Sequence, residues 1–289
     1  MTKTLIVAGV AALMTTSAMA QSFDDNFLTT LRTGMEDHAA TLDGVDIQVE
    51  DAQDDVAAQL DQINNFIASG VDAIVVNAVD TNAVDAMSKA AEDAGVPLVY
   101  VNREPANVDS LPDNQAFVAS NEIESGTLAA FEACKMLRSM GYAGGAKDVE
   151  DIIGIDMCNF ITLIDKQTAN WSRDEASDLM TNFISAGDEF QVVFANNDEM
   201  ALGAIQALKA ADYDMADIVV VGVDATQDAL QALQAGDLDA TVFQDAAGQG
   251  AGAIDAALAL ANGEDVDQKV YIPFQLVTEA NVDDFTSKN

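Results

Sequence analysis

The stretch Gln191–Thr226, QVVFANNDEMALGAIQALKAADYDMADIVVVGVDAT, decides the fold. An apolar run of strand length ends in Asn196-Asn197-Asp198, a helical pattern follows, and a second β-branched run from Ile218 to Val223 ends in Gly222-Val223-Asp224. Strand, corner, helix, strand, corner places two polar corners at one edge of a parallel sheet. In an open α/β sheet that carboxyl edge is where ligands bind, so Asn197 and Asp224 are predicted to converge on one crevice.

The same alternation runs outward in both directions. Asp46–Asp51, Ala73–Asn77, Pro97–Asn102, Phe117–Ser120, Ile161–Lys166 and Ala240–Gln244 read as strands. Helical spacing covers Val56–Ser69, Thr81–Ala94, Glu124–Met140, Arg173–Ser185, Thr226–Ala235 and Ala247–Asn262, and Gly70 and Gly95 stop the first two. Strands joined by helices in short order pair in parallel through right-handed crossovers. The chain has 289 residues, 49% of them hydrophobic, enough for two lobes with a core each.

Met1–Ala20 stands apart. One charge, Lys3, precedes an apolar run from Leu5 to Met14, and Ala18-Met19-Ala20 has the small-x-small pattern of a cleaved export signal. The run is shorter than the roughly 20 residues of a bilayer span. Export to the periplasm with cleavage after Ala20 is therefore expected. Loss of Lys3 would take the formal charge from −37 to −37 − 1 = −38, which excludes nucleic acid and anionic membrane surfaces as natural partners.

Cys134 and Cys158 allow one disulfide, and two separate buried thiols are an equal reading. With one histidine, His38, and no Cys-x-x-Cys, no metal site is expected. Gly248-Gln249-Gly250-Ala251-Gly252 opens a helix after a strand, like a dinucleotide fingerprint. Its third glycine comes one place early, however, and close helix packing explains the small residues more simply. His38, in EDHAA, has no nucleophile elbow near it. No cofactor and no catalysis are expected.

The corners FDDNF, NREP, NW, NND, GVDA and FQDA are rich in amides, carboxylates and aromatic rings. Amides and carboxylates grip vicinal hydroxyls, and flat rings stack on the C–H face of a sugar or cyclitol. A neutral polyol is the ligand class this suits.

VDAIVVNAVD, GVPLVYVNREP, ANNDEMALGAIQALKAA, VVVGVDAT and ALQAGDLDATVFQDAAGQG resemble, in order and spacing, the periplasmic sugar-binding proteins of the galactose and ribose type that feed ABC transporters. NREP, QTANWSR and DATQDAL are most similar to the branch that binds myo-inositol or rhizopine. The resemblance implies a two-lobed α/β fold of the type I periplasmic binding protein kind. Residues 21–119 with 244–273 would form one lobe and 120–243 with 274–289 the other, closing by a hinge on one small polyol. It implies a monomer that delivers its ligand to a membrane permease. A chemoreceptor-presenting protein of the same fold and a decayed, non-binding copy are the alternatives.

Carried over residue by residue, Asp25 and Phe27 match the first ligand loop, as acceptor and stacking ring, and Asn102 and Arg103 match the second. On the other lobe Trp171 matches the opposing aromatic, Asn197 the amide, Asp224 the carboxylate, and Gln244 an amide at a hinge crossing. The chain departs from the pattern twice. Only Gln21-Ser22 would precede FDDNF after cleavage, and Gly145-Ala146-Lys147 passes straight to Asp148-Val149-Glu150, so the first strand of each lobe is expected to be missing.

So one-sided a charge repels itself across the fold. The urea midpoint should rise as salt goes from about 0.01 M to about 0.15 M, where the screening length falls to about 8 Å; an unchanged midpoint would remove self-repulsion as a determinant of stability.

Overall fold

The computed structural model describes residues 3–4, 6–8, 26–142, 160–187 and 189–288. They fall into two compact units, Met1–Ser120 with Asp245–Pro273 and Asn121–Gln244 with Phe274–Asn289.

The strands of the first unit are β1 (Lys3–Thr4), β2 (Ile6–Ala8), β3 (Val45–Asp46), β4 (Val49–Glu50), β5 (Ile74–Val76), β6 (Leu98–Val101), β7 (Gln115–Ala119) and, from the returning chain, β11 (Lys269–Tyr271). Its helices are α1 (Asn26–Ala40), α2 (Val56–Ser69), α3 (Asp85–Ala94) and α8 (Ala246–Ala261). The main sheet has the order β11-β7-β6-β5-β2-β4 and every pairing is parallel. Its side chains alternate between two cores. Val75, Val99, Val101 and Val118 face Leu31 and Met35 of α1 and Ile254 of α8. Ile74, Val76, Leu98, Tyr100 and Phe117 face Ile63 and Phe66 of α2 and Met87 of α3. Strands covered on both faces must be apolar throughout, which is why they read as unbroken runs.

The second unit holds α4 (Glu122–Ser139), α5 (Arg173–Ala186), β8 (Val192–Phe194), α6 (Asp198–Ala210), β9 (Val219–Val221), α7 (Gln227–Ala235), β10 (Ala240–Phe243) and β12 (Gln275–Thr278). Its sheet runs β12-β10-β9-β8, with β12 antiparallel to β10 and the other pairs parallel. Val220 and Phe243 point toward Met180, Ile205 and Leu230 of α5, α6 and α7, whereas Val219, Val221 and Val242 point toward Ala129, Ala133 and Leu137 of α4. Cys134, fully buried in α4, is disulfide-bonded. The chain's other cysteine, Cys158, lies outside the described residues.

Three sequence expectations change. The predicted strand Asp46–Asp51 is two short ones, β3 and β4, which join different sheets. Ile161–Lys166 forms no strand, and Leu163 and Ile164 are 74% and 54% exposed. Its β-branched content supplies propensity, but a strand exists only where a neighbour pairs with it. Among the described residues β8 is accordingly an edge strand, with Phe194 also largely exposed. Finally, the first unit does not lack its first strand in the full chain. Ile6–Ala8, from the segment read as an export signal, lies between β4 and β5, with Val7 opposite both Val49 and Val75. The corresponding gap in the second lobe falls at Gly145–Glu150, outside the described residues.

Gly250 is a real packing requirement: a Cβ there would sit 2.7 Å from the Leu31 carbonyl oxygen, so its absence lets α8 lie against α1. A Cβ on Gly252 would likewise sit 3.2 Å from Val118 of β7, so close packing of α8 accounts for these two glycines, whereas at Gly248 a Cβ would meet the Asp245 carboxylate that caps the helix.

Because β2 sits between two other strands, a chain beginning at Gln21 should melt more than about 5 °C below the full chain by circular dichroism. Equal melting would show that β2 adds nothing to the sheet.

Candidate functional site

In the first unit the carboxyl edge of the sheet is a run of polar side chains. Asn77 follows β5, Asn102 follows β6 and Ser120 follows β7. Asn102 takes φ 65°, a left-handed corner that asparagine tolerates better than most residues. Asn77 Nδ2 donates to Asn102 Oδ1 at 3.4 Å, and Asn102 Nδ2 donates to Gln249 Oε1 at 3.4 Å. Gln249 Nε2 in turn donates to Ser120 Oγ at 2.9 Å. Gln59 fixes the other end: its Nε2 donates to the Asn77 carbonyl at 2.8 Å and its Oε1 accepts from Val79 N–H at 3.0 Å. Asn77, Gln59, Gln249 and Ser120 are all buried, and Asn77 Oδ1 has no hydrogen-bond partner among the described residues. A buried amide oxygen left open at a ligand edge can accept one more hydrogen bond, from a hydroxyl or a water. Arg103 Nη1 donates to the carbonyls of Ala78 and Val79 at 3.2 and 3.1 Å, which ties the β5 and β6 corners together.

Phe27 lies on the first turn of α1, 8% exposed and within the apolar core that α8 also lines. Asp25 lies outside the described residues.

In the second unit the predicted residues fall into two hydrogen-bonded pairs, Asn197 with Trp171 and Asp224 with Gln244. Asn197 caps α6, its Oδ1 accepting from Met200 N–H at 2.9 Å, while its Nδ2 donates to the Trp171 carbonyl at 3.4 Å. Trp171 and Asn170 both adopt left-handed φ, 62° and 47°, immediately before Ser172 caps α5. The indole is 51% exposed, an unusual position for a large apolar ring. Arg173 behind it is held by both oxygens of Glu199, at 2.7 and 3.0 Å, and by Asp228 at 2.9 Å. Asp224, at φ 116°, is 7% exposed; its N–H donates to the Val242 carbonyl at 2.8 Å and its carbonyl accepts from Gln244 N–H at 3.4 Å.

Beneath this corner sits Asp198, wholly buried. Its Oδ2 accepts from Thr226 N–H at 2.8 Å and from Thr226 Oγ1 at 3.3 Å, and its Oδ1 accepts from Thr241 Oγ1 at 2.7 Å. Burial pushes its carboxyl up to about 7, against the opposing pull of those three donors. Asp239, which accepts from Val220 N–H at 2.7 Å, is likewise raised by burial to about 6.

The sequence pattern singles out Asn102, Arg103, Trp171, Asn197, Asp224 and Gln244 as candidates, but not the residues hydrogen-bonded around these corners: Gln59, Asn77, Ser120, Gln249, Asp198, Thr226 and Thr241. Asn77 carried a signal, since it ends AIVVN as Asn102 ends PLVYVN. Gln249 was concealed inside the glycine pattern. Among the described residues no cluster of three or more His, Cys, Asp or Glu could hold a metal, and no helix is long and apolar enough to cross a membrane.

Comparison with known proteins gives a consistent result. A periplasmic binding protein domain matches residues 18–265. A Rhizobium meliloti protein named for rhizopine binding is 56% identical over the full length of both chains. That alignment spans 309 positions against 289 residues here, so at least 309 − 289 = 20 of its positions face no residue of this chain. The ribose import binding protein of Bacillus subtilis is 30% identical across 89% of this chain and 85% of its own. Among solved structures, an ABC transporter solute binding protein from Bacillus halodurans with bound myo-inositol superposes with a TM-score of 0.81, at 35% identity, covering 100% of this chain and 98% of that one.

The Asp198 carboxyl binds its proton more tightly folded than unfolded, so the folded state carries the extra proton between about pH 4 and pH 7 and loses stability as pH rises through that window. Asp198→Asn should remove this term, its advantage over wild type in urea unfolding growing by up to about 1.4 kcal/mol per pH unit from pH 5 to pH 7. Parallel pH profiles would show that Asp198 does not titrate there.

Proposed function

This chain belongs to the periplasmic binding protein family, a family of transport binding proteins and not of enzymes, and we propose that it captures a neutral cyclitol, or a monosaccharide of like size, and delivers it to the permease of an ABC transporter. It acts as an exported monomer in the periplasm, its leader removed after Ala20, and catalyses nothing. The observation that carries this reading is that the carboxyl edge of each sheet carries amides held by side-chain hydrogen bonds, with the nearly buried Asp224 beside them in the second unit. An amide both donates and accepts, and so does a hydroxyl; a ring of hydroxyls therefore finds a partner at every position without any charge to neutralise. The 56% identical relative named for rhizopine binding and the 35% identical neighbour holding myo-inositol favour a cyclitol over an open sugar.

In this reading Asp25, Phe27, Asn102 and Arg103 serve from the first unit and Trp171, Asn197, Asp224 and Gln244 from the second. Asp224 accepts from ring hydroxyls, Trp171 supplies a flat face, and Asn102 and Asn197 supply paired donors and acceptors. The exposed indole and the nearly buried carboxylate fit those roles.

Calorimetric titration with myo-inositol, ribose, galactose and glucose tests the proposal, with nucleotides as the control. Binding of myo-inositol is expected, and Asp224→Ala should weaken it at least about 100-fold, because bound hydroxyls then lose a charged acceptor in a dry site. Absence of heat with all four polyols overturns the function; unchanged affinity in Asp224→Ala removes that residue from the site.

A further inference from the structure

The corner that presents Asp224 is strained. Asp224 and Ala225 follow one another at φ 116° and 57°, in a region that side-chain-bearing residues rarely adopt and that glycine enters freely. Two consecutive non-glycine residues keep such a conformation only where surrounding groups over-determine it.

Beside the backbone bonds that Asp224 makes to the Val242 carbonyl and the Gln244 N–H, the groups that hold residues 225 and 226 trace back to one side chain. On the far side of the corner, Thr226 N–H and Thr226 Oγ1 both donate to Asp198 Oδ2. On the near side, Ala225 N–H donates to Thr241 Oγ1 at 3.2 Å, and that hydroxyl passes its own proton to Asp198 Oδ1 at 2.7 Å. The carboxylate therefore grips residues 225 and 226 with its two oxygens, directly and through one threonine. The strand leading into the corner makes room for it: a Cβ on Gly222 would overlap Asp198 Oδ1. Glycine is thus demanded at 222 by the approach of Asp198, whereas 224 and 225, where glycine would relieve the backbone, carry side chains.

We propose that Asp198 is the positioning residue of the binding site, a buried strut that holds the Asp224-Ala225 corner in its left-handed conformation and so aims the Asp224 carboxylate at the ligand. The inference rests on the cyclitol-binding reading above and extends it to a residue that touches no ligand. Thr241 is the second member of the strut. Asparagine at 198 can do the same work: its oxygen accepts from Thr226 N–H, and its amide donates to Thr241 Oγ1, which still accepts from Ala225 N–H.

The test is a double-mutant cycle read by myo-inositol calorimetry, with a thermal melt on every variant. Asp198→Ala should weaken affinity by at least about 30-fold and Asp198→Asn by no more than about threefold. Ala225→Gly placed in the Asp198→Ala background should recover roughly fivefold to thirtyfold, the equivalent of the left-handed penalty that glycine escapes. A residue that mattered only for overall stability would give no such recovery. Thr241→Val covers the case in which Asp198→Ala does not fold: it cuts the link to Ala225 alone, and should lower affinity about fivefold or more while melting within about 4 °C of wild type. Folded Asp198→Ala or Thr241→Val binding myo-inositol as wild type does, or no recovery from Ala225→Gly, overturns the strut and leaves the cyclitol function standing. Failure of the wild-type protein to bind any of the four polyols overturns the function and the strut with it.

Discussion

A parallel strand covered by helices on both faces keeps few polar side chains within it, Gln115 of β7 and Thr241 of β10 being hydrogen-bonded exceptions, and gathers its polar residues beyond its end. In both units of this protein that constraint sorts the sequence: Val, Ile, Leu and Phe fill the strands, and the first polar residue after each strand is pushed to the carboxyl edge. The edges are polar because the interiors hold so few polar groups. Once several such residues stand side by side, with water largely excluded, each must satisfy its hydrogen bonds on the others or on a ligand.

The two units solve that problem by different chemistry. The first uses neutral amides in series, from Gln59 through Asn77 and Asn102 to Gln249 and Ser120, with two contacts as long as 3.4 Å. The second uses one buried carboxylate with three donors, none farther than 3.3 Å. A carboxyl brings two oxygens with several acceptor sites to one point, and it is placed where the backbone departs furthest from its ordinary conformation. The amide series sits where one left-handed asparagine asks for little support. Strength of support follows local strain in both cases.

Much of the fold was legible because these strands carry their own signature. Ala73–Asn77 and Pro97–Asn102 are β-branched runs ending in an asparagine, and the cap residues Ser172, Asn197 and Thr226 mark helix starts within a residue or two of where they occur. The illegible parts are those where the decisive partner is distant in sequence. Ile161–Lys166 has strand composition without a strand to pair with; Ile6–Ala8 has the composition of a leader and a place in a sheet. Around the candidate site, the sequence pattern singles out residues at the ends of strands and not those reaching in from behind. Asp198 is hidden as a helix's first residue, and Gln249 among the glycines of α8, of which Gly250 serves the contact with α1. A side chain that acts through another leaves no local pattern.

One feature of the second unit governs how this protein behaves in a crowd. Among the described residues nothing pairs with the outer side of β8, beside Phe194, and Leu163 and Ile164 are exposed, which is the kind of rim along which copies zip into aggregates. With a formal charge of −37, two molecules approaching rim to rim meet a mutual barrier that fades as ions accumulate between them. The electrolyte that relieves the crowding of acids within one molecule thus lowers the fence between molecules, and the workable range of ionic strength for a concentrated stock is bounded on both sides.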